Sequence, residues 1–329
     1  MSQPSFQRRA LSLTIAMVAT VGIAPYAQAQ PEYPSRPITL IVGYPAGGST
    51  DLTGRLLGAE LSKKIGAQVV IENVGGAGGV IGAQRALKAT PDGYTLFVGA
   101  VNEMAIAKLI NRAVKYDGLK DFTPIGLIAT QPLVLVTTPQ SNVKTPNDFV
   151  ANVRAHPGKT SFGSSGVGTA LHLGGEMVKE AGKLEMVHVP YRGVAPLTND
   201  LLGGQLQYGV FVLSSALPQI RAGKLTAIGL LQPQRTPLAP EIGTITENAE
   251  LKNIDINMWF GLYGPVGMPE AITQRLQKAL AEVVTSPDYI AKMKETGATV
   301  AAPNFDLVKF QTVETAKYKR IVDFAKIEE

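Results

Sequence analysis

A run of apolar, mostly β-branched residues that ends in a glycine- and hydroxyl-rich turn constrains the fold of this chain most. The run covers residues 38–44 (ITLIVGY), and the turn covers residues 45–51 (PAGGSTD). A strand that is apolar on both faces is typical of the middle of a parallel sheet covered by helices. A helix with an apolar stripe at Leu52, Leu56 and Ile65 is predicted after the turn. The fold is therefore predicted to begin with a β–turn–α unit.

The same order of elements occurs twice along the chain. In the first copy, the predicted strands 68–72 and 94–98 are separated by a glycine-rich loop at 75–79. The second copy has predicted strands at 160–163, 185–189 and 207–212, a glycine-rich turn at 164–168, and helices at 169–181 and 195–202. Parallel βαβ units place helices on both faces of a sheet. The sequence thus predicts two α/β lobes of similar design.

The C-terminal part is predicted to be helical. Pro269 is placed to open one helix, and Ser286-Pro287 forms an N-cap followed by a first-turn proline that opens the next. A last helix is predicted around Phe310 and Ile321. The segment before these helices, which contains Trp259, is predicted to return the chain to the first lobe.

Residues 1–29 have the pattern of a secretory signal peptide. Arg8 and Arg9 form a positive region, residues 10–24 are apolar, and residues 27–29 (AQA) form a small-residue cleavage site. The apolar stretch is shorter than the roughly 20 residues of a membrane span. We therefore expect an exported protein of the periplasm.

Composition excludes several classes of function. The chain has no cysteine, so it has no disulfide, Cys-ligated metal or thiol nucleophile. Its 31 basic and 26 acidic residues are scattered without a basic block, which argues against a nucleic-acid partner. Its three histidines form no close metal-ligand pair, and no cofactor is expected.

An enzyme is not required by any motif. The nucleophile elbow G-x-S-x-G is not formed around Ser165, because Val167 stands at its fifth position. A periplasmic hydrolase that uses Ser165 with His172 as its base remains an alternative.

Two uncharged turns suggest an anion site. Residues 45–50 and 164–169 each lie between a buried strand and a helix start, and neither contains Lys or Arg. Backbone N–H groups at a helix start lack intrahelical partners and carry partial positive charge, so they can bind an anion. Glycine is also common in tight turns for steric reasons alone. Two such turns at matching places nevertheless favour a two-lobed clamp around an acidic solute.

The ordered motifs of the chain resemble those of the periplasmic solute-binding subunits of tripartite tricarboxylate transporters, the Bug or TctC-like proteins. The motifs are residues 33–38 (YPSRPI), 45–51 (PAGGSTD), 72–73 (EN), 76–79 (GAGG), 91–96 (PDGYTL), 172–176 (HLGGE), 188–193 (HVPYRG), 200–205 (DLLGGQ) and 222–225 (AGKL). The resemblance covers nearly all of the chain after residue 29.

This resemblance implies an α/β, two-lobed periplasmic-binding-protein fold, the type II-like Venus flytrap, in which helices flank a parallel-rich sheet in each lobe. Lobe 1 is expected to comprise residues 30–132 and 256–329, and lobe 2 residues 133–255. It further implies that turn backbone and hydroxyl groups bind one carboxylate of the ligand, and that more variable positions meet its far end. The expected ligand-binding residues are Tyr44, Ala46, Gly47, Gly48, Ser49, Thr50, Asp51, Val101, Asn102, Ser164, Ser165, Gly166, Gly168, Thr169, Tyr191, Phe211 and Ser214.

The function expected from these observations is that of a receptor. It binds a small carboxylate or dicarboxylate between its lobes and delivers it to a membrane transporter. The partners implied by the family are two integral membrane subunits, and the protein itself is expected to be a monomer. A ligand-presenting role beside a membrane sensor is the alternative within the same fold.

Overall fold

The computed structural model describes residues 33–325 and 327, and the predicted signal peptide lies outside them. The strands within these residues are β1 (Ile38–Val42), β2 (Val69–Asn73), β3 (Thr95–Ala100), β4 (Phe122–Thr137), β5 (Thr160–Ser164), β6 (Met186–Pro190), β7 (Tyr208–Val212), β8 (Thr226–Leu230), β9 (Asn257–Pro265) and β10 (Thr299–Val300). The helices are α1 (Ser49–Ile65), α2 (Val80–Leu87), α3 (Ala107–Ile110), α4 (Pro146–Ala155), α5 (Ala170–Gly182), α6 (Val194–Leu202), α7 (Leu213–Arg221), α8 (Glu270–Val284), α9 (Pro287–Glu295) and α10 (Leu307–Ala325).

Two groups of parallel strands form the ends of one hydrogen-bonded path. The order along this path is β2-β1-β3-β9-β4-β7-β5-β6, and β8 and β10 also pair with β4. Strand β1 pairs in parallel with β2 and β3, and β5 pairs in parallel with β6 and β7. The predicted repeat of βαβ units and the α/β class are therefore confirmed.

Antiparallel strands join the two groups, and the sequence analysis assigned no element to the longest of them. Strand β4 pairs antiparallel with β9 from Phe122 to Pro132, and with β7 from Leu133 to Val136. Strand β9 also pairs antiparallel with β3, as expected for a segment that returns to the first lobe. Each strand group is thus mixed, with parallel pairs at its outer part and antiparallel pairs towards the centre.

Two helix starts lie earlier than predicted. Helix α1 begins at Ser49 instead of near Leu52, and α6 begins at Val194 instead of Ala195. Helix α1 ends at Gly66, whose φ of 78° is left-handed and therefore suits glycine. Ser49 and Thr50 consequently lie in the first turn of a helix.

The hydrophobic core lies between the strands and the helices that cover them. In the second strand group, one cluster of buried side chains joins β4 and β7 to α6 through residues such as Phe211 and Leu201. In the first group, Trp259 and Tyr263 of β9 are fully buried. No helix in the described residues is both long enough and apolar enough to span a membrane.

Two neighbouring leucines of α6 allow a matched test of this packing. Leu201 is fully buried, whereas Leu202 is 40% exposed. We expect Leu201→Ala to lower the free energy of unfolding by about 2–5 kcal/mol, because it removes buried methyl groups and leaves a cavity. Leu202→Ala should cost less than about 1 kcal/mol. Urea unfolding followed by circular dichroism measures both, and equal losses would contradict the packing of α6.

Candidate ligand-binding site

Two adjoining cavities open where the first and second strand groups face each other. We call the smaller one the helix-end cavity; it encloses about 480 Å³ of empty space, including space open to solvent. It is lined by Tyr44, Pro45, Ala46, Gly48, Ser49, Thr50, Asn102, Ser165, Leu171, Arg192, Gly193, Val194, Ala195, Pro196, Val212 and Met258.

The larger cavity, which we call the loop cavity, holds about 2190 Å³ of empty space on the same measure. On one side the glycine-rich loop 75–79 and α2 line it, and on the other side residues 165–168 and 190–193 do. The two cavities share Tyr44, Pro45, Asn102, Ser165, Arg192 and Gly193. These shared residues mark the place where the cavities meet.

The start of α1 forms one wall of the helix-end cavity. No side chain caps this helix, and its N-cap residue Gly48 has extended backbone angles. The Asp51 carboxylate accepts a hydrogen bond from Gly47 N at 2.9 Å and one from Arg55. Asp51 therefore holds the turn in place without lining either cavity. Although partial burial opposes it, hydrogen bonding from Arg55, Gly47 and Asn73 holds the pKa of Asp51 below its ordinary value. Amide groups of the first helical turn are thus left for a ligand.

The start of α6 forms the opposite wall, which the sequence analysis did not include among the candidate residues. Gly193, its N-cap, has a φ of 109°, and no side chain caps the helix. Residues 193–196 all line the helix-end cavity. A Cβ atom built on Gly48 would lie 4.0 Å from Val194 Cγ2, so the two helix starts approach each other closely.

At the start of α5, which the second predicted turn precedes, the amides of Ala170 and His172 are occupied by the protein itself. Ala170 N donates to Asn102 Oδ1 over 2.7 Å. His172 N donates to Thr169 Oγ1, and Gly168 N donates to His172 Nδ1. Of this turn, Ser165 reaches the helix-end cavity, while residues 165–168 line the loop cavity.

The contact between Asn102 and α5 belongs to a buried hydrogen-bond network. Asn102 Nδ2 donates to Tyr44 Oη over 2.5 Å, and Tyr44 Oη lies 2.6 Å from the Gly78 carbonyl and 3.0 Å from Glu103 Oε2. Glu103 Oε1 accepts from Ala100 N over 2.6 Å. The network therefore ties the end of β1, the glycine-rich loop and the end of β3 to the start of α5.

Burial favours the protonated form of Glu103 in this network. Burial raises its pKa to about 8, although the Ala100 amide favours the charged form. Tyr44 has one hydroxyl proton and two neighbouring acceptors, Gly78 O and Glu103 Oε2. A proton on Glu103 lets it donate to Tyr44, while Tyr44 donates to Gly78, so every group has a partner. The close approach of the Glu103 carboxyl group to the glycine-rich loop needs glycine at position 79, where a Cβ atom would lie 2.4 Å from Glu103 Oε2.

The two buried histidines of the second strand group pack on each other beneath the second turn. Their ring centroids are 3.8 Å apart, and His188 Nε2 lies 2.8 Å from Ser164 Oγ. Burial lowers the pKa of His172 to about 4, and burial with the neighbouring His172 lowers that of His188 to about 3. Both rings are therefore neutral at pH 7.

Ser165, the serine of the hydrolase alternative, forms no hydrogen bond to His172 among the described residues. These residues also contain no cluster of three His, Asp or Glu side chains suited to a metal ion.

The structure brings together ten of the seventeen expected ligand-binding residues at the cavities. The helix-end cavity is lined by Tyr44, Ala46, Gly48, Ser49, Thr50, Asn102 and Ser165. Lining the loop cavity are also Gly166, Gly168 and Tyr191. The remaining seven line neither cavity: Gly47, Asp51, Val101, Ser164, Thr169, Phe211 and Ser214.

Most of these seven residues have other partners. Phe211 and Val101 are fully buried in the core, and Ser214 Oγ donates to Gln131 Oε1 over 2.6 Å. Thr169 caps α5, as described above, and Ser164 contacts His188. Their part in ligand binding stays a prediction.

The sequence contains a sign of the α6 wall. Residues 190–194 lie between the predicted strand 185–189 and the predicted helix 195–202, and Gly193 is near the end of this segment. This is the same pattern as the first turn, and it places Arg192 at the cavities as well. Its shortness and the absence of serine made it less conspicuous.

The protonation of Glu103 predicts a pH effect. Its pKa is about 8 in the folded protein against an ordinary 4.5, so folding favours the protonated form. The contribution of Glu103 to the free energy of unfolding should therefore fall as pH rises from about 4.5 to about 8, and level off above. The two histidines add a rise with pH below about pH 6.5 in any variant that keeps them, so the Glu103 contribution is read as the difference between two proteins. Glu103→Gln keeps the acceptor for Ala100 and a donor for Tyr44, so it should lack the Glu103 contribution. Urea unfolding of both proteins at pH 5, 7 and 9 measures it; parallel curves would show that Glu103 is charged.

Comparisons with known proteins identify the family of this chain. The model of the tripartite tricarboxylate transporter family receptor matches residues 54–327. A protein from the tcbD-tcbE intergenic region of Pseudomonas sp. (strain P51) is 32% identical over 317 residues, which cover 96% of this chain and 94% of the relative. The BugT protein of Bordetella pertussis is 32% identical over 90% of this chain and 91% of its own length.

Solved structures are similar over nearly their whole length. An R. palustris protein solved with adipate has a TM-score of 0.86 and 31% identity, covering 90% of this chain and 99% of that one. MatC of Rhodopseudomonas palustris with bound malate has a TM-score of 0.82 and 30% identity, and the match covers 88% of this chain and 100% of MatC. The periplasmic binding protein BugD has a TM-score of 0.84 and 30% identity, and the match covers 90% of this chain and 99% of BugD. The two-lobed periplasmic-binding-protein fold is thereby confirmed, and the chain belongs to the tripartite tricarboxylate transporter receptor family.

Proposed function

We propose that this protein is a periplasmic receptor that binds a small organic acid in the helix-end cavity, between two lobes. The observation that carries the proposal is the pair of uncapped helix starts, α1 and α6, on opposite walls of one cavity. Amide groups at such ends bind anions without a salt bridge. The hydroxyl groups of Ser49, Thr50 and Ser165 line the same space and can add donors. The adipate and malate in the related structures fit this chemistry.

We further propose that lobe 1 comprises residues 30–132 and 256–329, and lobe 2 residues 133–255. The change of partner along β4, from β9 to β7 after Pro132, supports this division. Residues 1–29 are proposed to direct export, and two integral membrane subunits of a transporter are proposed to receive the ligand. The protein is proposed to be a monomer. Closure of its two lobes around the acid would then present the acid to those subunits.

The same observations support a binding role without catalysis. A hydrolase would need a base beside its serine. His172 accepts a hydrogen bond from Gly168 N through Nδ1, and its ring is stacked on His188. His172 is thus explained by the shape of the second turn and the packing beneath it.

Ligand binding can be tested directly with the purified protein. We expect at least one acid from a panel that includes adipate and malate to raise the melting temperature and change the fluorescence of Trp259. That residue is next to Met258, which lines the helix-end cavity. Ligand at 100 times its dissociation constant should add about 2.7 kcal/mol of stability. Binding of a neutral sugar or a cation, with no response to any acid, would overturn the proposal.

Gly48→Val tests the site itself. A bulky β-branched side chain at position 48 would point towards Val194 and block the approach of a ligand to the backbone. We expect the dissociation constant for the bound acid to rise at least tenfold, and less in Gly48→Ala. Because φ and ψ of Gly48 are −88° and 173°, both variants should melt near the unliganded wild type. Unchanged affinity in calorimetric titration would place the acid elsewhere.

A further inference from the structure

Arg192 is the one charged side chain among the described residues that line the two cavities. It directly precedes Gly193, the N-cap of α6, and it lines both cavities where they meet. Its side chain is exposed, and it forms no ion pair or hydrogen bond with another described residue. The guanidinium group is therefore available to a ligand.

The charges around the helix-end cavity do not balance with a single carboxylate. A helix N-terminus is equivalent to roughly +0.5 charge, and both α1 and α6 begin at this cavity. With the guanidinium of Arg192 the positive charge is roughly +2. Asp51 and Arg55 at α1 form an ion pair and add no net charge, and no acidic side chain lines either cavity. A monocarboxylate would leave about half of this charge without a partner, whereas a dicarboxylate would match it.

We propose that Arg192 binds the second carboxylate of a dicarboxylate whose first carboxylate lies at the starts of α1 and α6. This inference rests on the function proposed above and narrows its ligand class. A planar guanidinium group can donate two parallel hydrogen bonds to one carboxylate, which an amide or ammonium group cannot do equally well. Arg192 would thus select diacids over monoacids of the same chain length.

The test compares matched acids on matched variants. Adipate and hexanoate share a six-carbon chain and differ in one carboxylate, as do malate and 3-hydroxybutanoate in a four-carbon chain. Calorimetric titration of each acid is carried out on the wild type, Arg192→Gln and Arg192→Lys. Arg320→Gln is the control, because Arg320 is exposed on α10, lines neither cavity, and its loss changes the net charge equally.

We expect the wild type to bind the diacid of at least one pair tenfold more tightly than the monoacid. Arg192→Gln should weaken diacid binding at least tenfold and change monoacid binding less than twofold. The diacid affinity of Arg192→Lys should fall between those of the wild type and Arg192→Gln. Arg320→Gln should match the wild type. If Arg192→Gln weakens diacid and monoacid binding equally, or leaves the diacid affinity unchanged, the proposed role of Arg192 is overturned and the proposed function still stands. If the wild type binds only a monoacid, the role of Arg192 fails alone; if it binds none of the four acids and no other acid of the panel described above, the proposed function fails together with it.

Discussion

The hydrogen bond from Ala170 N to Asn102 Oδ1 joins the two strand groups at the point where a ligand would lie. It depends on Tyr44, which accepts from Asn102 and is itself fixed by Gly78 and Glu103. A buried, neutral glutamic acid therefore determines the position of a side chain that reaches across the site. Without a partner for each of these polar groups, burial of the network would be costly.

The proposed site would bind an anion on a nearly uncharged surface. Helix starts supply amide groups whose positions are set by the packing of α1 and α6, so the donors need no flexible side chain. Because the amides of Ala170 and His172 at the start of α5 are already used within the protein, the proposed donors of the second strand group are those of α6. In the proposed site, one exposed arginine would add directional recognition to an otherwise general carboxylate site.

The sequence allowed the parallel βα units and the first turn to be predicted, because buried β-branched runs and glycine-rich turns are local patterns. Residues 45–50 were found in this way, and most of them line the helix-end cavity. The role of β4 and the antiparallel direction of β9 could not be found, since an apolar run does not reveal which strand it pairs with or in which direction. Asn102 was expected, from the family resemblance, to meet the far end of the ligand, but its bond to Ala170 joins residues 68 positions apart and could not be predicted.

Strand β4 has a consequence for how such receptors diversify. It pairs with β9 up to Pro132 and with β7 from Leu133, so the proposed border between the lobes falls inside one continuous strand. Recombination that exchanged one half between relatives would have to join two sequences within a hydrogen-bonded ladder. New specificities are therefore more accessible through point substitutions in the loops that follow the strands than through the shuffling of halves.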